Sequence, residues 1–321
     1  MIIWLRVLLV LATLASSNAF AQQYPTRSVT IVAATTPGSL PDVLARGIGQ
    51  RLSQKWGQPV VVENRAGGAY AIAASAVANA PADGYTLLAS ESGLYTIQPH
   101  LSKGRPAYAA NDFVPASGTA SIPVAFVAHP SLEANSVRDL IALATAKPGQ
   151  INYGTAGPGS SPHMAMLLLA SMAKVKLTAV HYRGISPALN DLVAGHVQLL
   201  AIGPSVALPA FQAGKVKILG VGGGQPVPQL PGVPTVAEAV PGFEMNVSFP
   251  IFARVGTPQE VISKINTDVQ QIIRDPEFQK QFLEPQALQP MLGSPEQLVR
   301  SLEAESEKWG RLIREANLTI D

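Results

Sequence analysis

Apolar and polar positions along this chain fall into short alternating blocks. The β-branched run at 28–34 predicts a buried strand. Residues 41–56 then set Val43, Leu44, Ile48 and Leu52 on one stripe at helical spacing, and Gly57 stops the helix. A strand at 59–63, the stretch Asn64 to Gly68, an Ala-rich helix at 69–79, the Asp83-Gly84 turn and a strand at 85–89 follow. This strand-helix-strand-helix-strand order implies a mostly parallel sheet covered by helices.

A second unit begins near Pro123. It reads as a strand at 124–128, a helix at 136–146 opened by Ser136 and closed by Lys147-Pro148-Gly149, and a short strand at 152–155. A helix at 162–173, a strand at 176–181, a helix at 187–194 ended by Gly195, a strand at 197–202, a short helix at 206–212 and a strand at 216–221 complete it. Gly222-Gly223-Gly224 breaks the pattern. A returning strand at 249–253 and surface helices at 258–274, 276–282 and 295–316 close the chain. The charges Glu303, Glu305, Glu307 and Lys308 on the last helix read as a solvated face.

Composition narrows the picture. The chain has 321 residues, which suggests about two domains. Its first residues look like a secretory signal: Arg6, an apolar stretch at 7–15, and Ala19-Phe20-Ala21 as an A-x-A site, with cleavage expected after Ala21. The apolar stretch is shorter than the roughly 20 residues a bilayer span needs. There are no cysteines, so thiol catalysis and Cys-ligated metal are excluded. A net charge of +2 and 14% charged residues argue against nucleic-acid binding. Five scattered His without clustered carboxylates argue against a metal site, and no cofactor is implied.

Three times a strand ends in small residues and a helix opens with Ser and Pro. The first loop holds Thr36, Pro37, Gly38, Ser39 and Leu40, with Asp42 as a capping partner of Ser39. The second holds Gly157, Pro158, Gly159, Ser160 and Ser161, then Pro162 and His163. The third holds Tyr182, Arg183, Gly184, Ser186 and Pro187. Helix N-termini expose orphan N–H groups and the positive end of the dipole, so these loops suit an anion. Arg183 offers a fork that matches a carboxylate. Plain helix initiation would also account for Ser39 and Asp42, and a structural hydrogen bond for His163. Ser90, Glu91 and Ser92 follow the third strand and should face the same crevice. Glu91 could pair with Arg183, receive a cationic ligand group, or face solvent.

Catalysis finds little support. Gly159-Ser160-Ser161 is not a G-x-S-x-G elbow, and no phosphate loop or H-E-x-x-H motif occurs. A Ser160, His163 and Asp191 triad can be drawn only on paper.

These residues also resemble those of a known family. Tyr24-Pro25, Pro37-Gly38, the run Asp42 to Arg46, the run Gly57 to Arg65 and the run Asp83 to Leu88 are similar to the periplasmic receptors of tripartite tricarboxylate transporters, the Bug or TctC family. So are the run His129 to Leu132, Ala156-Gly157 with Gly159-Ser160, Tyr182-Arg183-Gly184 with the run Pro187 to Leu189, and the run Val233 to Glu238.

The resemblance implies a two-lobed, periplasmic-binding-protein-like α/β fold. Lobe 1 is expected at 24–121 and 244–321, and lobe 2 at 122–243. It implies a monomeric receptor, not an enzyme, that grips a small carboxylate through the first two loops and hands it to a membrane permease. A sensory receptor for a membrane kinase and a secreted serine hydrolase using Ser160 and His163 are the alternatives. The family's first loop usually reads Pro-Pro-Gly-Gly and then Ser or Thr; here Ser39 replaces a Gly and Leu40 the hydroxyl. Ile202 and Gly203 stand where an acidic residue and Asn are usual. These departures point to an aromatic or otherwise apolar carboxylate, and strain is expected at Ser39 if the replaced Gly needs positive φ.

Overall fold

A computed structural model describes residues 24–67, 70–101 and 108–318. The expected signal segment at 1–21 and the expected helix start at Ala69 lie outside the described residues. Among the described residues, eleven strands form two sheets. They are β1 (Val29–Ala33), β2 (Val60–Asn64), β3 (Thr86–Ala89), β4 (Phe113–Pro123), β5 (Ala125–Ala128), β6 (Asn152–Thr155), β7 (Thr178–His181), β8 (Leu199–Ile202), β9 (Lys217–Val221), β10 (Asn246–Arg254) and β11 (Gln289–Pro290). The helices of more than one turn are α1 (Leu40–Trp56), α2 (Ala71–Ala78), α3 (Val137–Ala146), α4 (Ser161–Ala173), α5 (Ile185–Ala194), α6 (Pro204–Gln212), α7 (Gln259–Arg274) and α8 (Pro295–Glu315).

The two-lobed α/β architecture is present, and each sheet is mixed. The first has the order β11-β4-β10-β3-β1-β2. Its β1 runs parallel to β2 and β3, while β10 is antiparallel to β3 and β4. The second has the order β7-β6-β8-β5-β9, with β6 parallel to β7 and β8 and β5 antiparallel to β8 and β9. Antiparallel pairs enter because the chain passes between the sheets along β4 and β10 instead of through crossover helices. The parallel strands β1, β3 and β6 all deliver their carboxyl ends toward the gap between the sheets, as does β8.

Helix stripes do the covering. On α7, Val261, Ile265, Val269 and Ile273 recur at helical spacing and are buried. Each such side chain stabilises by about 1.5–3 kcal/mol. Ser136 caps α3 by accepting the Asp139 N–H, and Ser294 with Gln297 forms a capping box on α8.

Three sequence expectations change. The segment 113–123 is a strand of 11 residues that hydrophobic patterning missed. Its small residues, Pro115 and Gly118 give no alternation, because the strand is buried nearly throughout. Pro250 sits inside β10 at a register shift between Phe249 and Ile251, where the missing N–H removes no ladder bond. The helix expected at 276–282 is a single turn, Pro276–Phe278, running into a π turn, Gln279–Leu283, and a short 3₁₀ turn; Pro285 cannot continue it.

The passage between the sheets is tied by backbone hydrogen bonds. Only Val124 separates β4 from β5. The Val124 N–H donates to Met245 (3.3 Å), the Gly222 N–H to Val124 (2.7 Å) and the Met245 N–H to Gly222 (2.8 Å). A Cβ on Gly222 would lie 2.8 Å from the Met245 carbonyl oxygen, so glycine is required there. Gly222→Ala should therefore lower stability by roughly 1–3 kcal/mol, read as a fall in thermal midpoint. An unchanged midpoint would mean that the crossing accommodates a methyl group.

Candidate functional site

The loop after β1 turns on Gly38, whose φ is +82°. This conformation points the Gly38 N–H at Asp42, and Asp42 Oδ2 accepts it at 2.8 Å. Asp42 Oδ1 accepts from Arg46 Nε (2.9 Å) and Asn64 Nδ2 (2.8 Å). The carboxylate is 2% exposed. Burial raises its pKa, and the Gly38, Asn64 and Arg46 hydrogen bonds outweigh that and hold it below the ordinary value. Asp42 thus braces the loop. Ser39 has φ −77° and carries no strain, because Gly38 takes the positive φ. Its hydroxyl bonds Thr36 O (2.9 Å) and Thr35 Oγ1 (2.7 Å) and does not cap α1.

The loop after β6 repeats this construction. Pro37-Gly38-Ser39-Leu40-Pro41-Asp42 and Pro158-Gly159-Ser160-Ser161-Pro162-His163 align without a gap and are identical at four of six positions, differing at Leu40/Ser161 and Asp42/His163. Gly159 has φ +71°, and its N–H donates to His163 Nδ1 at 3.0 Å. The Ser160 hydroxyl donates back to Gly157 O (2.7 Å), as Ser39 does to Thr36. Accepting at Nδ1 leaves the proton of a neutral His163 on Nε2. The ring is 3% exposed. Burial first, and the adjacent His181 ring second, push its pKa down to about 4. His163 is therefore the counterpart of Asp42.

The first helical bonds run from Val43 N–H to Ser39 O and from Met164 N–H to Ser160 O, both 2.9 Å. The N–H groups of Leu40 and Asp42 in α1, and of Ser161 and His163 in α4, precede them; Pro41 and Pro162 have none. Both helix ends open on one cavity of about 590 Å³ between the sheets. Of the residues singled out from sequence, Gly38, Ser39, Leu40, Glu91, Ser160 and Ser161 line it. Its walls are largely apolar, with Val43, Ile122, Ile185, Ile202 and Phe249 prominent. Among the described residues no Lys, Arg or His lines it.

Glu91 reaches across the gap. Its Oε2 accepts from Tyr70 Oη (3.2 Å) in its own lobe and from Ser161 Oγ (3.1 Å) on the first residue of α4. Burial raises its pKa, and the two hydroxyl donors offset this in part. The expected alternatives of an Arg183 partner or a solvated carboxylate are not what the structure has. Arg183 is exposed and outside the lining.

The third loop serves differently from expectation. Gly184 (φ +119°) precedes α5, which starts at Ile185 and not at Pro187; Ser186 is exposed within its first turn. The Tyr182 hydroxyl donates to Asp191 (2.7 Å), and burial together with this bond pushes its pKa to about 12. Thr36, Pro37 and Pro158 are exposed on the outer side of their loops. The Gly157 N–H is held by Thr155 (3.1 Å). Ser92 Oγ donates to Glu305 (3.3 Å), and the buried Ser90 hydroxyl, beside a hollow under Leu44 and Phe249, has no partner among the described residues. Ser160, His163 and Asp191 each hold different partners and form no relay. Sequence reading missed Tyr70, which follows the Gly-rich stretch at 67–68 and adopts a left-handed φ of +74°. That glycine pair was the available signal.

The family model for the "Tripartite tricarboxylate transporter family receptor" matches residues 44–318. A protein encoded in the tcbD-tcbE intergenic region of Pseudomonas sp. (strain P51) is 36% identical over 300 residues, covering 93% of this chain and 89% of its own. Among solved structures, an R. palustris protein with adipate superposes with a TM-score of 0.80 at 36% identity, covering 92% of this chain and 99% of its own. MatC of Rhodopseudomonas palustris with bound malate gives 0.76 at 28% identity, covering 90% and 100%.

The His163 brace carries a pH signature. Its pKa falls from 6.5 to about 4 on folding, so between these values the unfolded chain binds more protons. Its contribution is complete above pH 6.5 and lost as pH falls toward 4. Discounted for residual solvent access, the loss is roughly 2 kcal/mol. Urea unfolding at several pH values should show this fall, and His163→Asn should remove that part of it. Wild type and variant falling in parallel would refute the assignment.

Proposed function

The chain belongs to the tripartite tricarboxylate transporter receptor family, and on that footing we propose that it is a periplasmic solute-binding receptor for a small carboxylate. The observation that carries this reading is the pair of matched helix N-termini, one from each lobe, opening on one cavity. A carboxylate there can meet the N-terminus of α1 at Leu40 or that of α4 at Ser161, both of which line the cavity. Because the two ends belong to different sheets, a ligand that spans the cavity and touches both walls favours closure of the lobes about the Val124 and Gly222 crossing. The adipate and malate held by two structural neighbours fit a carboxylate site of this kind.

The remainder of the reading rests on family and sequence. The chain is exported through the segment at 1–21, works as a monomer in the periplasm and delivers its ligand to a membrane permease. Its lobes divide near 122 and 243. It turns nothing over, a reading supported by the separate engagements of Ser160, His163 and Asp191. The apolar walls around Leu40 and Ile202 favour a carboxylate with an apolar body.

A thermal-shift screen against aliphatic and aromatic carboxylates tests the proposal. A ligand at about a hundred times its Kd should stabilise by about 2.7 kcal/mol. Mass spectrometry should recover the same ligand unchanged. No stabilisation by any carboxylate, or recovery of a converted product, would overturn the receptor reading.

A further inference from the structure

The two helix ends are built alike but are not equally vacant. At α1, Asp42 turns its carboxylate inward, onto Gly38, Arg46 and Asn64. It lies outside the cavity lining, where Thr35 and Ser39 stand beside Leu40. At α4, the Glu91 carboxyl group has crossed from the opposite lobe. It sits on the Ser161 hydroxyl at 3.1 Å and is steadied by Tyr70 at 3.2 Å. A protein carboxyl therefore already stands at the end of the cavity where a second ligand carboxylate would seek donors. No lysine, arginine or histidine among the described lining residues is present to neutralise two acidic groups together.

We infer that Glu91 acts as a built-in second carboxyl group, so that this receptor selects monocarboxylates with an apolar body over dicarboxylates of the same skeleton. The inference rests on the carboxylate-receptor reading above and specifies its ligand class. The ligand carboxylate binds at the α1 end. Its apolar body lies against Ile122, Ile202, Val247 and Phe249. A far carboxylate would meet Glu91 where the Ser161 and Tyr70 hydroxyls already donate to it, and an ionised Glu91 would repel it in a poorly screened cavity. The apolar walls give it no other partner, and an unpaired buried charge is costly. Glu91 differs here from a general acidic surface residue: it is half-buried, it lines the cavity, and its contacts join both lobes.

Matched pairs of probes test this directly. Calorimetric titration would compare hexanoate with adipate, and benzoate with terephthalate. For the wild type, the monoacid of the better-binding pair should bind at least tenfold more tightly than its diacid. Glu91→Ala removes the resident carboxyl group and opens space, and should bring the diacid at least tenfold closer to the monoacid. Diacid binding equal to or tighter than monoacid binding in the wild type would overturn the inference and leave the receptor reading standing. So would an unchanged ratio in a folded Glu91→Ala protein. The wild-type comparison stands even where the variant does not fold. Failure of all four acids, with no other carboxylate stabilising the protein, would remove the receptor reading and this inference with it.

Discussion

A glycine N–H turned into a protein must find an acceptor, and in this fold that requirement recurs at the base of the cleft. Gly38 meets it with Asp42, and Gly159 meets it with His163. Each acceptor lies four residues on, inside the helix that the loop starts. The loop and the helix are thereby locked together, and the helix's first N–H groups are aimed into the cavity. Leaving the buried Gly159 donor unpaired would cost about 1–3 kcal/mol, and the Asp42 and His163 side chains hold the two loops from outside the cavity lining.

The same construction explains what the chain disclosed as a sequence. Elements with strong period or strong caps, such as α1, α3, α7 and α8, sit within a residue or two of their expected bounds. Both Pro-Gly-Ser loops and the closeness of Glu91 to them were legible, because small residues at strand ends have few other uses in a parallel sheet. The long strand β4 was not, since burial nearly throughout erases the alternation that marks a half-exposed strand. The mixed character of the first sheet follows from β4 and β10 and that of the second from the antiparallel β5, and strand directions of this kind are not written in the hydrophobic pattern.

Side-chain roles were less legible than positions. Tyr182 and Arg183 have the chemistry of ligand-binding residues, but Tyr182 is committed to Asp191 and Arg183 faces outward. His163 has the chemistry of a contact and serves as an acceptor for backbone. Tyr70 carries no motif and reaches the cavity only because its backbone adopts a left-handed turn. In each case the deciding fact is a direction in space, which spacing along a chain does not encode.

The crossing at Val124, Gly222 and Met245 has a mechanical consequence. Three backbone hydrogen bonds fasten the two connecting segments side by side, so neither can bend without the other. Two ribbons bonded edge to edge flex readily about one axis and resist twisting and sliding. Segments fastened in this way favour bending of the lobes about the crossing over sliding past it.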